Sequence, residues 1–319
     1  MKLSDMGRLV ALMTTVTLAF TGCGGQSQGQ PTLPQVVSAI RQAHGQGKSA
    51  SEDLIYVSAE GGHSYVLSYP EGKLVGTINQ TANGACADAS GNVYLPGPGG
   101  VLMYGHGATS PSATLSLSNA GSGCSVDPIT GNLAVTTESN DGVAVFENAS
   151  GQPTVYQTQS PAYYCGYDNE GNLFVDGYAL PDGLWLDELP KNGDAFLELS
   201  LNQAITLNAG QIQWDGNYLT VQVGTDEKHP LNALAIDRLT VSGSAVSVIS
   251  QTTFKNINHG TRASWIYGNS VLVPPGLHGA VPNIGLWAYP KGGKAKKIIK
   301  KVAGSTATFT GVTISVGNR

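Results

Sequence analysis

The sequence predicts an all-β fold built from six copies of a four-stranded unit, and three observations predict it. The first is composition: charged residues are 12% of 319, about half the usual quarter, while Gly reaches 42. Gly, Ser, Thr and Asn are abundant, and Val, Leu, Ile and aromatics recur throughout. This reads as short strands joined by tight turns and not as disorder. The second is a repeat. CADASGNVYLP from Cys86, CSVDPITGNLAV from Cys124 and CGYDNEGNLFVDG from Cys165 each run Cys, Asp, Gly-Asn, β-type stretch. Their Gly-Asn pairs begin at Gly91, Gly131 and Gly171 in steps of 40, and weaker copies begin at Gly216 and Gly268 after steps of 45 and 52. The third is the phase of the two ends. Asp53 opens DLIYVSA, the stretch that follows a Gly-Asn, without the strand that should precede it. TGVTIS from Thr310, followed by Gly317-Asn318, supplies that missing strand.

Each element of the unit has a local reason. Gly and, less readily, Asn tolerate positive φ, so Gly-Asn suits a tight hairpin. The Asp before it can accept backbone N–H groups in the turn. Beyond the second strand, a further run ends at Tyr69, Tyr104, Phe146, Leu189, Leu239 or Tyr289. Gly-rich turns and a fourth stretch, such as KLVGTIN, complete the unit. Four strands in some 40 to 45 residues make one blade of a β-propeller. The expectation is a six-bladed propeller over residues 53–319. The C-terminal strand should pair with Leu54 to Val57 and close the ring, protecting edges that would otherwise aggregate.

The amino-terminal segment reads as an address. Lys2 and Arg8 precede an uncharged stretch from Leu9 to Gly22. That stretch is shorter than the roughly 20 residues of a spanning helix and has the layout of an export signal. It ends in Ala19-Phe20-Thr21-Gly22-Cys23, which resembles a bacterial lipobox, with Phe20 where an aliphatic residue is common. That resemblance implies a signal peptide over 1–22, lipidation of Cys23 and a tether over 23–52. The expectation is therefore an exported, membrane-anchored protein facing the periplasm or cell surface. With Gly24 after the Cys, outer-membrane or surface display is the default. Residues 24–34 have linker composition, and QVVSAIRQAH over 35–44 is compatible with one short helix on that tether.

The repeat resembles NHL-type and related WD-like propellers. It is also similar to the lactonase and streptogramin-lyase branch, which uses D-x-x-G-N-[ILV]-[YFW] units, and the likeness covers residues 53–319. It implies a fold and is nearly silent on activity, because propellers host enzymes, binders and scaffolds alike. It also implies that first strands line a central channel. On that basis Cys86, Cys124, Cys165, Tyr163, Tyr164, Gln211, Gln213, His259, Arg262 and Trp265 line the channel, with Thr308 to Thr313. The candidates for ligand binding are Tyr163, Tyr164, Gln211, Gln213, His259, Arg262 and Trp265.

The cysteines read first as small buried residues at a crowded position. A Cys124–Cys165 bridge and a soft-metal or redox site are the alternatives. Asp88, Asp127 and Asp168 read as turn caps rather than a cation ring. The lactonase branch implies Glu, Asn and Asp ligands for a divalent cation, and its early Glu motif has no counterpart; Glu60 lies past the wrong strand. The lyase branch implies a His acting as base near a metal, which leaves His259 with Arg262 as the catalytic candidates. No G-x-S-x-G, H-E-x-x-H or Walker motif is present. Lys291, Lys294, Lys296, Lys297, Lys300 and Lys301 crowd the predicted outer strand of the last blade. Lysines defend an exposed edge, or alternatively contact anionic lipid, cell-wall polymer or lipopolysaccharide. A net charge of -5 gives no reason to expect nucleic acid. The favoured expectation is a monomeric, non-catalytic propeller without a cofactor, binding a protein, glycan or small ligand at a channel mouth. The alternative is a lactonase- or lyase-like enzyme with a metal in the channel.

Overall fold

The structure, a computed structural model, describes residues 52–137, 142–179, 183–202, 210–224, 234–255, 257, 263–274, 283–302 and 308–318. The stretch read as an export signal, Cys23, the expected tether up to residue 51 with the helix expected over 35–44, His259 and Arg262 lie outside the described residues.

The described chain is all β apart from one 3-10 turn. A first meander holds β1 (Leu54–Ala59), β2 (Ser64–Ser68) and β3 (Leu74–Ile78). A second holds β4 (Cys86–Ala87), β5 (Val93–Gly97), β6 (Gly100–Tyr104) and β7 (Ala113–Leu115). The third is β8 (Gly121–Val126), β9 (Leu133–Thr137), β10 (Val143–Phe146) and β11 (Thr154–Tyr156). The fourth is β12 (Ala162–Tyr167), β13 (Leu173–Ala179), β14 (Gly183–Leu189) and β15 (Leu197–Leu201). The fifth is β16 (Ile212–Trp214), β17 (Leu219–Gly224), β18 (Leu234–Ser242) and β19 (Ala245–Lys255). The last contains β20 (Trp265–Tyr267), β21 (Ser270–Val273), β22 (Ile284–Ala288), β23 (Gly293–Lys294) and β24 (Lys297–Ile299). Finally β25 (Phe309–Ser315) returns to β1.

The repeat signals act as read. Gly91 takes φ +85°, and a Cβ there would fall 2.3 Å from the Val316 carbonyl oxygen, so the turn requires glycine. Asp88 Oδ1 accepts the N–H groups of Ser90 and Asn92, each at 2.9 Å. Asp127 accepts from Ile129 N–H, and Asp168 from the N–H groups of Glu170 and Asn172. At the junction of the two ends the cap comes from far along the chain, since Asp53 accepts the N–H of Gly317 at 3.0 Å. β25 runs antiparallel to β1 from Leu54↔Ser315 to Ser58↔Gly311. The first sheet is therefore made from residues some 260 positions apart in the chain.

Every residue of β1 is buried, so both faces of that sheet are covered. Successive side chains leave a strand on opposite faces, and they enter different clusters accordingly. Ile55 and Val57 pack with Leu272 and Ile284 of the last meander. Leu54 and Tyr56 pack with Val93 and Tyr104 of the second. The other clusters join the second meander to the third (Tyr94 with Val135), the third to the fourth (Ala134 with Val175), the fourth to the fifth (Phe174 with Val221) and the fifth to the last (Ile236 with Val271). The clusters thus follow one another from meander to meander and back to the first. Burying one such side chain contributes about 1.5–3 kcal/mol, and that contribution sits between sheets. This is a propeller arrangement of antiparallel sheets.

The hydrogen bonding departs from six separate sheets in one respect. Four sheets have four strands each, but the fourth and fifth meanders together with β23 form one nine-stranded sheet. The cause is β19, which at 11 residues reaches beyond its own meander. Its first residues pair in parallel with β15 at Ser200↔Ala245 and Leu201↔Val246. Its last residues pair with β23 at Phe254↔Gly293 and Lys255↔Lys294. Backbone groups on outer edges otherwise left open are satisfied this way.

Candidate functional site

The first strands of the meanders, β25, β4, β8, β12, β16 and β20, adjoin one another or are joined by hydrogen bonds. Three of them bulge near their leading ends. Thr310 is the extra residue of β25, Ser122 and Gly123 share one partner in β8, and Tyr163 is the extra residue of β12. A bulge frees backbone groups and re-aims a side chain. Here each bulge faces a buried polar residue of the second strand, at Ser58, Thr136 and Asp176 respectively. Gly123 N–H donates to Thr136 Oγ1 at 2.8 Å, and Tyr164 N–H donates to Asp176 Oδ1 at 3.1 Å.

The same polar residues reach the next first strand. Thr136 Oγ1 donates to the Tyr163 carbonyl at 2.9 Å, and Gly210 N–H donates to Asp176 Oδ2 at 3.2 Å. Thr310 Oγ1 lies 3.0 Å from Ser58 Oγ and 2.6 Å from the Ala82 carbonyl. The rim of leading ends is therefore tied from meander to meander by side chains. Asp176 is fully buried, and that burial pushes its carboxyl well above the usual range, against the two N–H bonds it accepts. Sequence reasoning missed this set. Its signal was a polar residue shortly after Gly-Asn inside an apolar run, in the stretches GNLAVTT and GNLFVDG where Thr136 and Asp176 stand.

The predicted residues divide. Tyr163 is 40% exposed at its bulge, and Tyr164 beside it is half-buried. Trp265 is half-buried and packs against the cluster between the last and first meanders and also against that between the second and third. Gln213 is committed: its Nε2 donates to the Ile266 carbonyl and its Oε1 accepts the Ile266 N–H, both at 2.8 Å. Gln211 is buried and donates to the carbonyl of Ile212. Both glutamines thus bond backbone, Gln213 across to β20 and Gln211 to its own neighbour. Among the described residues no three His, Cys, Asp or Glu side chains converge to hold a metal ion.

The cysteine expectation needs correction. Cys86 and Cys124 are joined as a disulfide with Cα atoms 5.7 Å apart, while Cys165 is a buried free thiol. The reason is parity. Cys86 stands two residues before its Asp, but Cys124 and Cys165 stand three before theirs. A one-residue offset turns a strand side chain to the other face. Cys86 thus looks toward the following meander and Cys124 back toward the preceding one, so they meet. Cys165 also looks back, its Sγ donating to the Ala134 carbonyl at 3.7 Å, so it cannot reach Cys124. Burial pushes the Cys165 thiol upward, away from the thiolate form.

No protein-family model matches the chain. No curated protein matches it either. Solved structures do. A chain in the crystal structure of a nidogen/laminin complex superposes with a TM-score of 0.64 at 12% identity, covering 84% of this chain and 100% of that one. A protein of unknown function from Bacteroides caccae superposes with a TM-score of 0.59 at 11% identity, covering 83% of this chain and 99% of that one. At such identities the likeness is one of fold, and the fold is a β-propeller.

Proposed function

We propose that this chain is a cell-envelope lipoprotein whose folded part is a six-bladed β-propeller, binding its ligand at the channel mouth beside Tyr163 and Tyr164. One observation carries the binding reading. Tyr163 is 40% exposed on a bulge whose carbonyl is pinned by Thr136 and whose following N–H is pinned by Asp176. An exposed tyrosine on rigid backbone anchors an interface with little entropy left to lose. The nidogen/laminin likeness favours a protein as the partner. Six blades are supported by the succession of apolar clusters from each meander to the next and back to the first. The envelope address is supported by the signal-like start, by Cys23 and by the Cys86–Cys124 disulfide, which suits an oxidising compartment.

The test is a photo-reactive residue placed at position 163 in cells, compared with one at position 249 on the outer strand β19. Adducts from 163 that are absent from 249 are the expected result. Equal yields from both, or none from 163, would sink the channel-mouth reading. A stoichiometric, tightly held divalent ion on the purified protein would instead favour the enzyme alternative.

A further inference from the structure

The lysines that crowd the last meander belong to a larger asymmetry. Every one of the 22 acidic residues lies at or before Asp237, whereas residues 238–319 contain ten Lys and Arg and no Asp or Glu. The structure gathers part of this charge on one outer edge. Lys291, Lys294, Lys296, Lys297, Lys300 and Lys301 are all exposed, on β23, β24 and the turns beside them. Among the described residues no carboxylate forms an ion pair with any of them; the ion pair there joins Arg238 to Asp215. Lys255 and Lys294 stand directly opposite one another on paired strands, an arrangement that destabilises a sheet. Ile298, in the middle of KKIIKK, is 40% exposed. The edge continues onto the first meander: Gly72 packs so closely on Ile299 that a Cβ would fall 2.5 Å from it, and the exposed Lys73 and Leu74 follow. Protection of an edge strand accounts for lysines on the edge itself. It does not call for an 82-residue stretch cleared of acids, nor for like charges set face to face.

We propose that this edge docks on a membrane surface, its lysines against the phosphates of anionic lipid headgroups and Ile298 and Leu74 entering the interface. Lysines near an anionic surface attract additively, and an apolar residue among them adds burial. The choice of a membrane as the partner rests on the lipoprotein reading of Cys23, which would hold the domain within reach of one.

The test uses the full chain with Cys23→Ser, so that no acyl group contributes. It is floated with vesicles of phosphatidylcholine alone and of phosphatidylcholine mixed with phosphatidylglycerol, at low and high salt. Flotation only with phosphatidylglycerol, weakened by salt, is expected. Each neutralised lysine should weaken partition about fivefold, so Lys294→Gln, Lys297→Gln and Lys300→Gln together should weaken it about 100-fold. Lys191→Gln, on the fourth meander, should leave it unchanged. Unaltered thermal unfolding of the triple variant would show that folding is not the cause. Equal flotation on both vesicles, no flotation, or a triple variant that floats like its parent would overturn the proposal. So would binding to soluble polyphosphate without binding to vesicles, which would mark a polymer site. Mass spectrometry of the cellular protein reports separately whether Cys23 is acylated, so either reading can fail alone.

Discussion

Replacing Ser125 with cysteine should create a second disulfide, to Cys165. Ser125 stands two residues before Asp127, as Cys86 stands two before Asp88, and Cys165 stands three before Asp168, as Cys124 stands three before Asp127. The Ser125–Cys165 pair therefore repeats the native bridge one meander later. The direction of the side chain agrees, because Ser125 Oγ already accepts the Tyr167 N–H of the next first strand at 3.1 Å. The native Cα–Cα distance of 5.7 Å lies inside the range a disulfide spans. The magnitude follows from the loop. The native bridge joins residues 38 positions apart, and the new one would join residues 40 apart. Chain-entropy reasoning assigns about 4 kcal/mol to closing a loop of this length. Loss of the Ser125–Tyr167 hydrogen bond subtracts about 1 kcal/mol. The net of about 3 kcal/mol corresponds to a rise in Tm of roughly 6–12 °C for a domain of this size. The assay is thermal unfolding with and without reductant, with peptide mapping under non-reducing conditions. A Cys165 thiol that stays free in the oxidised variant, or a new cysteine joined to Cys86 or Cys124, would refute the parity argument.

The remaining predictions concern what holds the ring and the rim. Cys86→Ala with Cys124→Ala should lower stability by about 4 kcal/mol, read as a lower Tm that reductant no longer changes. Removing residues 308–319 deprives β1 of its partner strand and should abolish cooperative melting; an unchanged transition would refute closure by β25. Asp176→Asn should change the pH dependence of stability. Because burial raises this carboxyl, the folded chain holds a proton that the unfolded chain releases above about pH 4. The contribution of the neutral acid is complete below that pH and is lost as pH rises toward the folded value. Denaturation between pH 4 and pH 8 should show the native chain losing stability relative to the variant, by at most about 1.4 kcal/mol per pH unit; parallel curves would contradict it.

Most of the fold was legible because its signals are local. Gly-Asn with a preceding Asp is a hairpin by backbone chemistry alone, and counting hairpins located the strand that returns from residues 309–315 to β1. The nine-stranded sheet was not legible. Pairing of β19 with β15 and β23 uses backbone groups, which leave no trace in side-chain pattern. The disulfide was written in the sequence as parity but is lost when Cys86 and Cys124 are taken as one register. The rim was half legible. Tyr163 and Tyr164 were found from their place in the repeat, whereas Ser58, Thr136 and Asp176 were hidden because a buried polar residue is recognised only once a bulge is known to need it.

The strand that returns to β1 also sets a schedule for the chain. At about 5–20 residues per second of synthesis, the partner of Leu54–Ala59 is made tens of seconds after that strand itself. Through that interval Leu-Ile-Tyr-Val, an apolar β-prone run, has no neighbour on one side. Such an edge recruits other chains. The nascent protein must therefore be kept apart from its own copies until its final strand is made, and its yield should depend on holdase capacity more than on the stability of the finished ring.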